Sequence, residues 1–288
     1  MSKFLFFHPK HTRYASHLLV YGCYSSFMTK PLTIGLLGFG HIAKYLYKKI
    51  NSDPRFDLRY VYVRNIKKEL PEELQIIDPS RIEDIPVDLC IEAATHEVVG
   101  SLGKKVLATS DLMVLSCSAL SFPDIESQIV KSAKKYHHNI WIPHGALLGI
   151  DGLLDSQTML KKVSITSTKS PENLDFSFTD IDIELPISKP TVLYEGSTRG
   201  LAQTFPRNFN SHAAIALSSL GLDETTSKLI ADPETDVGRH IITAIGEGFQ
   251  FEITRDSLMT GVTGDYTLFS TWGSIQRVMD KKTGIKFI

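Results

Sequence analysis

Residues 34–43 read IGLLGFGHIA, and the helix-forming stretch AKYLYKKI runs on from Ala43. A short apolar run ends in Gly38-Phe39-Gly40-His41-Ile42-Ala43, and a helix pattern begins there. Strand, glycine turn and helix follow in the order a dinucleotide-binding unit needs. Gly38 suits the tight turn. Gly40 has no side chain, so the backbone can approach a pyrophosphate. Ala43 is small enough for the helix to pack close on the strand. The helix N-terminus offers unpaired N–H groups and the positive end of its dipole to phosphates. Gly38, Gly40 and Ala43 are therefore candidate cofactor-binding residues. An ordinary strand–helix turn can carry the same glycines, so the reading depends on what surrounds it.

Outward from this turn the chain alternates. LRYVYVRN (58–65) reads as a second strand, DLCIEAAT (88–95) as a buried strand and DLMVLSCSAL (111–120) as another; NIWIP (139–143) closes the series. HEVVGSLGKKVLAT and PDIESQIVKSAKKYHH between them read as helices, with Pro123 suited to a first turn. Near-continuous apolar strands separated by helices predict a parallel sheet covered on both faces. The fold expected is α/β: a Rossmann-type domain over residues 29–145, then a mixed α+β catalytic domain over 146–263. GALLGIDGLLDSQTML (145–160) looks helical, KKVSITSTKS is an alternating strand, and residues 170–192 read as a loop or mobile lid. STRGLAQTFP and NSHAAIALSSLGL read as helices. TSKLIADP, RHIITAIG and FQFEITR read as neighbouring antiparallel strands. A helix over 264–288, with Leu268, Trp272, Ile275 and Met279 on one face, is expected to pack back on the first domain.

Composition narrows the function. Lys and Arg number 31 against 32 Asp and Glu, which carries no nucleic-acid footprint and no pull toward an anionic membrane. No apolar run has the length of a membrane span. Three scattered cysteines, Cys23, Cys90 and Cys117, form no C-x-x-C, so buried thiols in a reducing cytoplasm are expected and no metal site is. Residues 1–30 hold no Asp or Glu, with Arg13 their one arginine, and Met28 stands just before the first strand. Residues 1–28 therefore read as an extension outside the fold, more simply than as a transit peptide.

The end of the second strand bears on the cofactor. An acidic residue there would accept the ribose hydroxyls of NAD. The chain has Tyr62-Val63-Arg64-Asn65 instead. The guanidinium of Arg64 can fork two hydrogen bonds onto a 2′-phosphate, so NADP is expected alongside NAD.

Six segments in order then resemble the L-aspartate dehydrogenase family. They are IEAATHEVV (91–99), LMVLSCSALSF (112–122), IPHGALLGIDGL (142–153), TSTKSPENL (166–174), LYEGSTRGLAQTFPRNFNSHAAIAL (193–217) and LIADPETDVGRHII (229–242). The resemblance implies an NAD(P)-dependent oxidoreductase acting on CH–NH2 donors. L-aspartate would give up a hydride to the nicotinamide, and the resulting iminoaspartate would hydrolyse to oxaloacetate and ammonia. His240 falls on the family's catalytic histidine, Asn210 on a cofactor-contacting asparagine and Ala119 on a cofactor-contacting alanine. An imidazole also titrates where proton transfer near neutrality needs it. Lys169 and Arg207 are candidates to hold the carboxylates of a small dicarboxylate amino acid. His212 stands where the family usually has an apolar residue and reads as a packing substitution. A homodimer follows by analogy with the family. Three departures sit near the expected site: Gly238 for an asparagine, Ser118 for a glycine, and no Asn-Pro-x-Thr-Ser segment after Arg255. They leave open a related dehydrogenase for another amino or oxo acid, and a non-catalytic NAD(P)-binding regulatory protein.

Overall fold

The computed structural model describes residues 30–280, apart from 178, 180–182, 206–208 and 261–262. The extension expected at 1–28, candidate Arg207, and the end of the helix expected to reach 288 lie outside the described residues.

β1 (Leu32–Leu37) is buried along Ile34, Leu36 and Leu37, as a central parallel strand must be. It turns at Gly38, which adopts φ +96°, a conformation L side chains rarely adopt. α1 (His41–Asn51) buries Ala43, Leu46 and Ile50, one stripe at spacings of three and four. β2 (Phe56–Tyr62), β3 (Gln75–Ile76), β4 (Leu89–Glu92), α2 (His96–Val106), β5 (Asp111–Val114), α3 (Pro123–Tyr136) and β6 (Ile140–Trp141) complete the first half. Its six strands are all parallel in the order β3-β2-β1-β4-β5-β6. The order reverses between β1 and β4, which opens a crevice outside the carboxyl ends of the strands.

The second half runs α4 (Ile150–Asp155), β7 (Leu160–Lys169), β8 (Thr191–Ser197), α5 (Thr198–Thr204), α6 (Asn210–Leu217), β9 (Thr226–Ala231), β10 (Val237–Gly246), β11 (Phe249–Thr260), β12 (Thr263–Gly264) and α7 (Asp265–Val278). Its sheet has the order β12-β11-β10-β7-β9-β8, antiparallel except for the β7–β9 pair. Val163, Ile165, Ile242 and Ala244 form a core with Ala213–Ala216 of α6. α7 turns to the first sheet: Ile275 is buried with Ile34, Leu36 and Leu58, and Trp272 rests on Phe56 with ring centroids 5.2 Å apart. Among the described residues no helix is long and apolar enough to cross a membrane.

Four local expectations are corrected. The strand expected over 111–120 stops at Val114, and Cys117–Ser121 form a 3-10 turn. The buried carboxylate of Glu92 draws the chain out of the sheet by accepting the Ser116 amide and hydroxyl, each at 2.9 Å. The helix expected from 145 is reduced to α4, because Gly145 and Gly149 take left-handed φ values of +56° and +77°. The expected loop over 170–192 yields at its end to β8, an edge strand without a clean in–out alternation of burial. β9 does not neighbour β10. β7 lies between them, since the chain crosses over through β8, α5 and α6 to return parallel to β7.

Candidate active site

The crevice at the carboxyl ends of the parallel strands faces the helix-covered side of the second sheet. One cleft is lined by both: Ile42, Leu115 and Cys117 from the first half, and Lys169, Asn210, His240 and Arg255 from the second. Strand register explains the second set. His240 pairs with Ser167 of β7 on one side and with Arg255 of β11 on the other. Lys169 stands two residues beyond Ser167 and so on the same face. No acidic side chain is among the described residues that line the cleft.

His240 is the fourth residue of β10 and not its start, and is 5% exposed. Its Nδ1 is 2.6 Å from Ser167 Oγ. Burial, then the charge of Arg255, then His212 and Lys169 hold its proton affinity well below the ordinary histidine range. The sequence-based expectation of titration near neutrality is therefore corrected: the imidazole is neutral. Lys169 is 4% exposed, and burial and Arg255 lower its pKa to about 8. Its Nζ lies 5.5 Å from the centre of the Phe209 ring.

Arg255 was not among the residues picked from sequence. It is 9% exposed, and its Nε and one terminal nitrogen are buried without a hydrogen-bond partner among the described residues. Unmet donors on a buried guanidinium are costly unless an anion meets them. Its place opposite His240 follows from the pairing of β10 with β11, which no local motif announces.

His212 is also corrected. It is fully buried on α6, and Nε2 lies 2.6 Å from Ser167 Oγ while Nδ1 lies 2.9 Å from Ser227 Oγ. Both nitrogens are engaged, so it is not a simple packing substitution. A Cβ added at Gly238 would sit 2.4 Å from Met259 Sδ, so a larger residue there needs the flexible methionine on the next strand to turn aside.

The residues expected to hold a dinucleotide are spread along the crevice. A Cβ on Gly38 would lie 2.8 Å from Ala94 Cβ, so the turn is closed around glycine. One on Gly40 would meet nothing within 4 Å, so this backbone at the start of α1 borders open space. That is the shape a pyrophosphate at a helix N-terminus requires, and the residues present fit the group. Ala43 is fully buried against the sheet. Asn210 opens α6, and its Oδ1 accepts the Ser118 amide at 3.0 Å, which leaves its Nδ2 donors for the cleft. Ala119 is buried in the core beside this contact and lines neither cleft. Arg64 is exposed just beyond β2, in a depression shared with Tyr62, Thr95 and Glu97. Glu97, missed in the sequence, lines the same depression as Arg64, with its carboxylate 3.4 Å from His96 Nδ1.

A doubly wound parallel domain with its glycine turn, joined to a mixed sheet that places an imidazole and two cations at the mouth of the crevice, defines the class: a dinucleotide-dependent oxidoreductase. Residues 38–143 match the family described as homoserine dehydrogenase, NAD binding domain, and residues 151–278 match aspartate dehydrogenase, C-terminal. The chain is 30% identical over 227 residues to an L-aspartate dehydrogenase of Nitrosopumilus maritimus, covering 74% of this chain and 83% of that one. It is 32% identical over 229 residues to an L-aspartate dehydrogenase of Methanococcoides burtonii, covering 75% and 84%. An aspartate dehydrogenase domain-containing protein of Xenopus tropicalis is 30% identical over 268 residues, covering 85% and 94%. The crystal structure of aspartate dehydrogenase from Thermotoga maritima shares the fold, with a TM-score of 0.69 at 23% identity over 88% of this chain and 99% of that one. This chain belongs to the aspartate dehydrogenase family.

Proposed function

We propose that the chain catalyses the NAD(P)-dependent dehydrogenation of L-aspartate to iminoaspartate, which hydrolyses to oxaloacetate and ammonia. The observation that carries this reading is the pairing of Lys169 and Arg255 with a neutral His240 in one cleft that no described acidic side chain lines. Two cations suit two carboxylates, and a guanidinium grips one of them bidentately. Gly38, Gly40, Ala43 and the start of α1 would hold the pyrophosphate, Asn210 the nicotinamide end, and Arg64 with Glu97 the adenosine ribose of either NADP or NAD.

The bound cofactor supplies the acceptor for the hydride of the α-carbon. His240 takes the proton of the substrate ammonium, which frees the amine lone pair to form the C=N bond as the hydride leaves. Arg255 and Lys169 orient the dicarboxylate. Its negative charge offsets the two cations that depress His240, so the imidazole becomes a stronger base once substrate is in place. The partners in this reading are a small dicarboxylate amino acid and a second copy of the chain, with no nucleic acid and no membrane. A cytoplasmic location suits the buried free thiols of Cys90 and Cys117.

The test is to mix purified protein with oxaloacetate, ammonia and NADPH or NADH and follow the loss of reduced-nicotinamide absorbance. Turnover of oxaloacetate in preference to monocarboxylic oxo acids is expected. Cofactor binding without turnover of any oxo or amino acid would defeat the proposal.

A further inference from the structure

Behind His240 lies a chain of buried hydrogen bonds that crosses the second sheet from β10 to α5. His240 Nδ1 meets Ser167 Oγ at 2.6 Å, and Ser167 Oγ meets His212 Nε2 at 2.6 Å. His212 Nδ1 meets Ser227 Oγ at 2.9 Å, and Ser227 Oγ meets Thr198 Oγ1 at 2.7 Å. The Thr198 hydroxyl lies 3.0 Å from the Thr225 carbonyl oxygen. Ser167, His212, Ser227 and Thr198 are each 0% exposed, so these groups meet one another and not bulk solvent.

The count of protons can be followed from the far end. The Thr225 carbonyl accepts the Thr198 amide at 2.9 Å and can only accept at its second contact too, so there the Thr198 hydroxyl donates. Thr198 Oγ1 then accepts from Ser227, and Ser227 accepts from Nδ1–H of His212. Burial, with Lys169 nearby, lowers the His212 pKa to about 3, so this ring carries one proton and its Nε2 accepts. The Ser167 hydroxyl donates there. Ser167 Oγ is left to accept from His240 Nδ1–H. Each hydrogen is used once. Reversing every bond would cost the hydroxyl bond to Thr225 and leave that carbonyl with the Thr198 amide alone.

We propose that His212 is a positioning residue: through Ser167 it fixes His240 as the Nδ1–H tautomer, with the unprotonated Nε2 presented to the cleft as the base. This rests on His240 acting as the base in the reading above. The nitrogen that is not bonded decides what an imidazole can do, and its state is set by the bond the other nitrogen makes. Ser167 alone could not set it, because a hydroxyl donates or accepts with equal ease. The acceptor on His212 removes that freedom.

The experiment is long-range 15N–1H correlation NMR of the histidine-labelled protein, run beside steady-state kinetics. Wild-type His240 is expected as Nδ1–H at neutral pH. His212→Phe removes the acceptor, which lets the Ser167 hydroxyl turn to His240 Nδ1 and move the ring proton to Nε2. Turnover should then fall by at least 10-fold, toward the roughly 10⁴-fold cost of a wrong tautomer in a catalytic triad, with KM for the cofactor unchanged. His212→Gln, whose amide offers both an acceptor and a donor, should restore the Nδ1–H tautomer and most of the lost turnover. A wild-type His240 protonated at Nε2 overturns the proposal, as does a His212→Phe protein that keeps the Nδ1–H form. If His212→Phe fails to fold, the wild-type spectrum and the glutamine variant decide. The tautomer is read without turnover. A wild-type protein that shows Nδ1–H but converts no amino or oxo acid would sink the functional reading, and the role of Nε2 as base with it, while the part of His212 in setting the tautomer would stand.

Discussion

Replacing Arg255 by methionine separates binding from chemistry at the proposed site. The substitution keeps a long flexible side chain in the sheet and removes two buried donors that have no described protein partner. A hydrogen bond to a charged group is worth about 1.5–3 kcal/mol. At about 1.4 kcal/mol for each factor of ten, KM for oxaloacetate should rise roughly 10- to 150-fold. KM for NADPH should change far less, because in the proposed reading the pyrophosphate is held by backbone at the start of α1 and the adenosine ribose by Arg64 and Glu97, none of which pairs with Arg255. Stability should hold or increase, since a buried guanidinium with two donors unmet among the described residues is replaced by an apolar group of similar length. The pH profile gives a second reading. Arg255 is the foremost charge depressing His240 after burial itself. Without it the imidazole gains proton affinity, and the acid limb of kcat/KM for aspartate oxidation should move to higher pH. Steady-state kinetics with each substrate varied, a melting curve and a pH series are sufficient. An unchanged KM for oxaloacetate together with an unmoved acid limb would refute the assignment of Arg255 to the substrate.

His240→Asn keeps a polar group but cannot exchange a proton near neutrality. Turnover should fall by roughly 10²- to 10⁴-fold with cofactor affinity intact, and a near wild-type rate would remove His240 from the chemistry. Arg64→Asp should weaken NADP binding by about 1–3 kcal/mol and spare NAD, because only the phosphate loses a charged partner. Equal losses for both in a titration would place Arg64 outside the ribose pocket. His212 links pH to stability. Unfolded it takes up a proton near pH 6.5, whereas folded it does so only near 3. Between those values the unfolded state binds the extra proton, so this residue costs about 1.4 kcal/mol per pH unit as pH falls below about 6.5, and nothing above it. Urea midpoints of wild type and His212→Gln should therefore diverge on acidification. Parallel curves would mean that His212 is protonated in the fold.

The first half of the fold was legible because a parallel sheet buried on both faces writes itself as apolar runs between amphipathic helices, and residues 32–143 do so. The second half was read less well. Its sheet is ordered by a crossover: β9 is close to β10 in sequence but lies on the far side of β7. β8 alternates too weakly in burial to separate from the preceding loop. At the site, His240, Asn210 and Lys169 were found and do line one cleft. Arg255 escaped because its role depends on which residue of β10 it faces, and that register is set by the turn around Gly246 and Gly248. The links from Ser167 to His212 and Ser227 escaped for a related reason. Three separate elements supply them, and no spacing along the chain brings them together.

α7 has a consequence for how the protein is made. The helix that seals Ile34, Leu36, Phe56 and Leu58 leaves the ribosome more than a hundred residues after the strands it covers, since β6 ends at Trp141 and α7 begins at Asp265. During synthesis the nucleotide domain therefore waits with one apolar seam open while the whole second sheet is translated. Domains completed in order of synthesis avoid such an interval, and transiently exposed apolar surface is what chaperones bind and what aggregates. Closure of the first domain thus waits on α7: the dinucleotide crevice reaches its finished form only after the strands of the second sheet have been made.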